Sequence, residues 1–186
     1  MALSRGASTL FTVLAGMRQE KEMALKTLVL GMGNTILSDD GVGIYVVREL
    51  AERLEREDVD FAEGSVGGMR ILDIVGGYKR VIMVDAIQTR EGRPGEIYRL
   101  TPQQFRLSLH AGSSHDLSLP GALVFGRAMG LTLPEDEDFV IIAVEVEDVI
   151  NFSEACTPAV QEAIPRAVDT VLAELGSEEG AGTGSP

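Results

Sequence analysis

Residues 26–43, KTLVLGMGNTILSDDGVG, carry the clearest indication of the fold of this chain. They open with a short and nearly continuous apolar run that ends in glycine, which is typical of a strand covered on both faces of a sheet. A loop of glycine and aspartate follows, and residues 42–54 then repeat apolar side chains at helical spacing. The pattern predicts a central strand over residues 26–31, a polar loop and a helix, which together are the opening unit of an α/β fold.

The rest of the chain alternates short β-branched runs with longer amphipathic runs, and this alternation predicts a single α/β domain. Further strands are predicted over residues 59–63, 80–87, 95–100 and 139–146. Further helices are predicted over residues 69–75, 115–129 and 157–175. The strand at residues 95–100 follows the preceding strand too closely for a parallel crossover, so it is predicted to run antiparallel and the sheet to be mixed.

Composition limits the function classes. The chain has 186 residues, of which 45% are hydrophobic, so it can bury one sizeable core. Its 16 Lys and Arg residues against 29 Asp and Glu residues give a net charge of -13. Such a charge repels phosphate backbones, which argues against a nucleic acid and favours a cationic partner. The single cysteine, Cys156, excludes an internal disulfide framework.

The two ends of the chain are predicted to lie outside the domain at residues 25–175. Residues 1–24 are interpreted as an appendage, disordered or upstream of the true start, because the apolar run at residues 9–15 lacks a convincing signal-peptide cleavage site. Residues 176–186 are rich in Gly, Ser and Glu and are predicted to form a disordered tail. No apolar stretch is long enough to span a membrane, so we expect no membrane insertion and a cytoplasmic location.

Three side chains at strand ends or helix starts are candidates for chemistry, because ligands of open α/β sheets bind beyond the carboxyl ends of the strands. Asp40 follows the first strand, and only Ser38 or Asp39 is needed to cap the helix, which leaves Asp40 free. Asp85 interrupts an apolar strand, where a charged carboxylate is costly unless it is paired, hydrogen-bonded or metal-bound. His115 lies at a predicted helix start, where packing gives no reason for an imidazole.

Asp40, Asp85 and His115 together supply two oxygen ligands and one nitrogen ligand that the topology could gather in one crevice. Each has an ordinary structural explanation when taken alone, as a surplus helix cap, a carboxylate bonded to loop amides or an exposed histidine. As a set they suit a divalent transition metal, and ligand type favours zinc at least as much as nickel. A metal held in this way would polarise a carbonyl group or activate a bound water, which permits hydrolysis of an amide bond.

A dinucleotide site is the competing interpretation of the first loop, since Gly31 and Gly33 follow a strand and precede a helix. However, Ile36 occupies the third glycine position of that fingerprint, and the helix begins several residues too late. Two carboxylates also stand where a pyrophosphate needs positive potential. A nucleotide-binding α/β protein is therefore the weaker alternative.

The motifs resemble those of the nickel-iron hydrogenase maturation endopeptidases, the family of the hydrogenase 2 and hydrogenase 3 maturation proteases. The similar stretches are LVLGMGNTILSDDGVG at residues 28–43, EG at 63–64, GGM at 67–69, VDA at 84–86, SHDL at 114–117 and TP at 157–158. The resemblance covers roughly residues 26–175. It implies a three-layer α/β/α fold, phosphorylase/hydrolase-like, with a five-stranded and mostly parallel mixed sheet in which one strand is antiparallel.

The same resemblance implies an activity and a site. Family members remove a short C-terminal extension from the hydrogenase large-subunit precursor after nickel insertion, an aspartic-type endopeptidase activity that activates the hydrogenase. By position, the metal-contacting residues of the family correspond to Asp40, Asp85 and His115, and some members have Glu at position 40. Nickel is expected to come with the substrate, with zinc as a substitute in vitro. The loops expected to approach the substrate chain carry Gly31, Gly33, Asn34, Gly67 and Gly68.

A non-catalytic role would use the same ligands. A nickel-status checkpoint or chaperone would grip the immature large subunit without cutting it. Since binding and cleavage need the same side chains, the sequence leaves this alternative open.

Overall fold

Strand β1, Thr27–Met32, is buried along its whole length and faces an apolar layer on each side. Leu28 and Leu30 belong to one core cluster, whereas Val29 belongs to the other. This division follows from the pleat of a strand, which sends successive side chains to opposite faces. A strand that is apolar on both faces belongs in the middle of a sheet that is covered on both sides.

The computed structural model describes residues 26–65, 67–108 and 119–176. Within them, the strands are β1, β2 (Val59–Gly64), β3 (Arg80–Ile87), β4 (Ile97–Leu100) and β5 (Phe139–Glu145). They form one sheet in the order β2-β1-β3-β5-β4. β1 pairs in parallel with β2 and β3, and β3 pairs in parallel with β5, whereas β4 is antiparallel to β5. The predicted mixed sheet with one antiparallel strand is confirmed.

Helices cover both faces of this sheet. They are α1 (Val42–Arg53), α2 (Ile71–Val75), α3 (Pro102–Ser108), α4 (Leu119–Ala128) and α5 (Pro158–Gly176). α1 and α5 share one apolar cluster with Val29 and Ile82, and α2, α3 and α4 share the other with Leu30 and Met83. The predicted three-layer α/β/α architecture is therefore confirmed. Among the helices of the described ranges, none is both long enough and apolar enough to cross a membrane.

Helix α1 approaches β1 closely because glycines face each other there. A Cβ atom on Gly31 would lie 2.5 Å from the carbonyl oxygen of Gly43. A Cβ atom on Gly43 would lie 2.3 Å from the carbonyl oxygen of Val84. Neither position has room for a side chain. Gly31 was expected in a substrate-approach loop, but it is buried and its missing side chain serves helix packing instead.

The predicted elements agree closely with the observed ones, apart from their ends. Gly176 was placed in the predicted tail but is the last residue of α5, because the helix continues one residue beyond its predicted end. The helix predicted over residues 115–129 corresponds to α4. Its predicted start, with His115, lies outside the described residues, as do the predicted appendage at residues 1–24 and residues 177–186 of the predicted tail.

Helix α3 was missed by the sequence analysis, although a signal for it is present. The amide of Gln104 donates to the Thr101 hydroxyl oxygen at 3.3 Å, and the amide of Thr101 donates to the Gln104 side-chain oxygen at 2.8 Å. This reciprocal pair is a capping box, and Pro102 supplies a favoured first helical residue. The sequence TPQQ at residues 101–104 therefore indicates a helix start.

Candidate active site

The candidate site lies where β1 and β3 separate. Their last pair joins Gly31 to Val84, and Asp85 lies one residue beyond it, beside Ala143 of β5. β1 leads through α1 to β2 on one side of the sheet, whereas β3 leads towards β5 on the other side. The strand order thus reverses between β1 and β3. Such a switch point is where open α/β sheets form their ligand crevice.

A tight loop after β1 brings Asp40 to this crevice. Gly33 has a φ angle of 131°, and a Cβ atom there would lie 1.8 Å from the carbonyl oxygen of Asp40. Glycine is therefore required at this position. The amide of Leu37 donates to the carbonyl of Asn34 at 3.0 Å, and the amide of Asp40 donates to the carbonyl of Leu37 at 3.1 Å. These bonds lead into the short 3-10 turn Ser38–Gly41.

Asp40 and Asp85 line the same small cavity, of about 190 Å³. The rest of its wall comes from the ends of β1 and β2 and the residues that follow them, namely Met32, Gly33, Asn34, Ser65 and Gly67. A cavity of this volume has room for a few water molecules or for a cation with part of its ligand shell. Two residues 45 positions apart in the chain therefore face one potential binding site.

Burial raises the pKa of both carboxyl groups. Desolvation raises the pKa of Asp85 to about 7; the hydrogen bond from the Ala86 amide opposes this rise, and the nearby Asp40 adds to it. Desolvation also raises the pKa of Asp40, against a backbone hydrogen bond from Asn34. Within the described ranges, neither carboxylate forms an ion pair with Lys or Arg. Two adjacent carboxyl groups without a positive partner are suited to bind a cation.

Asp39 was predicted as a candidate helix cap, and this prediction is wrong. Neither Asp39 nor Ser38 makes a side-chain capping bond. Asp39 is fully buried, and its carboxylate accepts hydrogen bonds from the amides of Glu147, Asp148 and Thr157 at 3.2, 3.1 and 2.6 Å. The Thr157 hydroxyl donates a fourth at 3.1 Å. Asp39 therefore ties the loop after β1 to the loop after β5.

A larger cleft of about 610 Å³ lies beside the small cavity, and Asp40 borders both. Its other walls come from the ends of β3 and β5 and the loops that follow them: Ala86, Ile87, Gln88, Thr89, Gly92, Pro94, Glu145, Val146, Glu147 and Val149. A volume of about 610 Å³ is in the range of sites that bury a ligand the size of a short peptide. A group held between Asp40 and Asp85 would therefore lie at the border of this cleft.

Glu145 fixes one wall of this cleft. It is buried, and its carboxylate accepts hydrogen bonds from the Thr89 amide at 2.6 Å and the Thr89 hydroxyl at 3.0 Å. The Thr89 hydroxyl oxygen in turn accepts from the Gly92 amide at 3.0 Å. A Cβ atom on Gly92 would lie 2.3 Å from the Glu145 carboxylate, so a larger residue would displace either this carboxylate or the loop. Glu145 was not predicted as a site residue, although it is a carboxylate at the end of an apolar strand, which is the signal that pointed to Asp85.

The predicted ligands are only partly described. His115 lies outside the described residues, and within the described ranges no group of three or more His, Cys, Asp or Glu side chains is placed to hold a metal ion. His115 therefore stays a prediction. Of the predicted loop residues, Gly33, Asn34 and Gly67 line the small cavity, and a Cβ atom on Gly67 would meet nothing within 4 Å. Gly68 has a φ angle of 63° in the turn before α2.

Cys156 is not suited to act as a nucleophile. It lies half-buried in the loop before α5, with its Sγ 3.8 Å from the carbonyl oxygen of Ser38. Burial and the nearby Asp39 raise the pKa of this thiol to about 11. The thiol is therefore protonated at neutral pH, where only a thiolate would be reactive.

The fold and the two carboxylates fit the class of α/β endopeptidases that the sequence motifs resemble. The family model described as hydrogenase maturation protease matches residues 44–174. The chain belongs to this family, and it is a hydrogenase maturation endopeptidase. The matched segment contains Asp85 and every residue that lines the large cleft except Asp40, which lies four residues before it.

Relatives of named function agree with this assignment. The hydrogenase 2 maturation protease of Escherichia coli K12 is 30% identical over 154 residues, which are 81% of this chain and 91% of that protein. The solved structure of the E. coli hydrogenase maturating endopeptidase HybD matches with a TM-score of 0.69 at 28% identity, over 82% of this chain and 93% of that one. A hydrogenase 2 maturation peptidase from a Thaumarchaeota archaeon matches at 29% identity with a TM-score of 0.59, over 81% and 98%.

Proposed function

We propose that this protein removes a C-terminal extension from the large-subunit precursor of a nickel-iron hydrogenase after nickel has been inserted. Nickel is the recognition element in this proposal and belongs to the substrate. The observation that carries the proposal is that Asp40 and Asp85 line one cavity and form no ion pair within the described ranges. The relatives named as hydrogenase 2 maturation proteases support the choice of substrate.

Asp40, Asp85 and His115 are proposed to complete the coordination of the nickel that the precursor presents. A carboxyl group must lose its proton to bind a cation, and the pKa of Asp85 is about 7 when the cavity holds no charge other than that of Asp40. A divalent cation in the cavity lowers this pKa, since it stabilises the carboxylate. Docking of a nickel-loaded precursor is therefore coupled to ionisation of Asp85. The binding of a nickel-free precursor is not strengthened by this ionisation.

The scissile segment is proposed to lie in the larger cleft. Asp40 borders both cavities, so nickel in the small cavity would hold the precursor at one end of the cleft. A water molecule activated by the metal or by a free carboxylate oxygen would attack the scissile carbonyl carbon. The peptide C–N bond would then break, the OH of the water would enter the new carboxyl group, and the other water proton would pass to the leaving amine.

The direct test is incubation of the purified protein with nickel-loaded and nickel-free forms of the same precursor, followed by intact-mass spectrometry. The nickel-loaded form should lose the mass of a C-terminal segment, and the nickel-free form should keep its full mass. A related protease that processes its own precursor serves as positive control. An unchanged nickel-loaded precursor would favour the checkpoint or chaperone, and equal cleavage of both forms would remove nickel as the recognition element.

A further inference from the structure

The loop after β5 exposes two large apolar side chains next to the larger cleft. Ile150 is 81% exposed and Phe152 is 83% exposed, the highest values among the large hydrophobic residues of the described ranges. Single exposed apolar residues are common, but two such residues within one short loop offer apolar surface whose burial by a partner is favourable.

This loop has a defined shape. The carboxylate of Asp148 accepts hydrogen bonds from the amides of Ile150 and Asn151 at 3.2 and 3.0 Å, and from the Asn151 side-chain amide at 3.0 Å. The Ser153 hydroxyl oxygen accepts from the amide of Ala155 at 3.1 Å and donates to its carbonyl at 2.7 Å. Ile150 and Phe152 are thus presented on a scaffold built by local hydrogen bonds, which lowers the entropy cost of binding.

The loop is also joined to the segment that carries Asp40. The amide of Ser153 donates to the carbonyl of Ile36 at 3.2 Å, and the amide of Ser38 donates to the carbonyl of Ser153 at 2.9 Å. Ile36 is itself 48% exposed. We call Ile36, Ile150 and Phe152 the apolar ridge. The ridge adjoins the larger cleft, because Glu147 and Val149 of the same loop line that cleft.

The segment that carries Ile150 and Phe152 is acidic. Residues 145–165 contain no Lys or Arg, and besides the buried Glu145 their carboxylates are Glu147, Asp148, Glu154 and Glu162. A matching partner surface therefore has an apolar centre and a basic margin.

We infer that the apolar ridge docks the folded body of the hydrogenase precursor while its C-terminal segment occupies the cleft. This inference rests on the proposed function. The precursor is the expected partner because one loop supplies both a wall of the cleft and the ridge. A precursor whose C-terminal segment lies in the cleft therefore has its folded body close to this loop. A second copy of this strongly acidic chain fits less well, because it would bring like charges together.

The double variant Ile150→Ser/Phe152→Ser tests the inference, with Val124→Ser/Phe125→Ser on α4 as matched control. The control residues are 60% and 49% exposed and lie on the helix layer opposite to α1 and α5. In processing of full-length nickel-loaded precursor, the ridge variant should raise KM about tenfold and leave kcat unchanged, because only docking is affected. The control should match the parent protein. Equal KM values for parent and ridge variant would overturn the inference.

Binding and oligomeric state separate this inference from the proposed function. If the parent protein does not cleave the precursor, the proposed activity fails, and affinity for the precursor still tests the ridge. Binding weakened about tenfold in the ridge variant and unchanged in the control supports the inference, and equal binding overturns it. Sedimentation that shows a dimeric parent and a monomeric ridge variant would assign the ridge to a second copy of the chain and would also overturn the inference.

Discussion

Asp39 and Asp40 are neighbours in one 3-10 turn, yet their carboxylates have different surroundings. Asp39 is fully buried and accepts four hydrogen bonds, all from donors at residues 147–157. Asp40 is partly exposed, accepts a backbone hydrogen bond from Asn34 and borders two cavities. The side chains are chemically identical, so the difference lies in the donors that the fold places around them.

Asp39 is a structural carboxylate, whereas the carboxylate of Asp40 is available for chemistry. A buried carboxylate whose oxygens are filled by amide and hydroxyl donors stabilises the fold and has little capacity left for a ligand. A carboxylate that lacks such donors destabilises its ionised form and gains from an added cation. Asp85 is of the second kind, since it accepts the amide of the next residue, Ala86, and its pKa rises to about 7.

The largest effect on stability is expected for Asp39→Ala, with Asp40→Ala as matched control in the adjacent position. Loss of the Asp39 carboxylate leaves three amides and one hydroxyl without their acceptor, and we expect the free energy of unfolding to fall by about 3–5 kcal/mol. Asp40→Ala should change it by less than about 1 kcal/mol. Urea denaturation of both variants measures this difference, and equal losses would remove the distinction between the two aspartates.

A smaller effect of opposite sign is expected for Asp85→Asn in chelator-treated protein. The pKa of Asp85 is about 7 in the folded chain against an ordinary value of 3.8, so the folded state binds the proton more tightly than the unfolded state. Native stability is therefore lost as the pH rises from about 4 to about 7. Asparagine mimics the protonated form, and we expect a gain of about 1–3 kcal/mol above pH 7 that vanishes near pH 4.

Denaturation of the parent and Asp85→Asn proteins at several pH values measures how the difference in their free energies of unfolding changes with pH. A gain that is constant with pH would show that ionisation of Asp85 is not its cause. A loss of stability at neutral pH would place Asp85 with Asp39 as a structural carboxylate.

The sequence predicts those parts of the fold that depend on local patterns. The mixed sheet can be predicted from the apolar runs at β1 and β3 and from the short connection before β4. The candidate pair of carboxylates can be predicted from the aspartates that follow these strands or interrupt them. The role of Asp39 could not be predicted, since its donors lie more than 100 residues away in an irregular loop. The exposure of Ile150 and Phe152 has no periodic signal either, because it depends on turns held by Asp148 and Ser153.

Asp40 and Asp85 are proposed to act together on a nickel-bearing precursor. The most direct test of this joint action is the mass of nickel-loaded precursor after incubation with Asp40→Asn or Asp85→Asn, with Asp169→Asn as matched control. Asp169 is an exposed carboxylate on α5, and it lines neither the small cavity nor the larger cleft. We predict that either cavity variant slows cleavage at least about 100-fold while folding normally, and that Asp169→Asn cleaves like the parent protein. Normal cleavage by either cavity variant would show that the two carboxylates do not act together in cleavage.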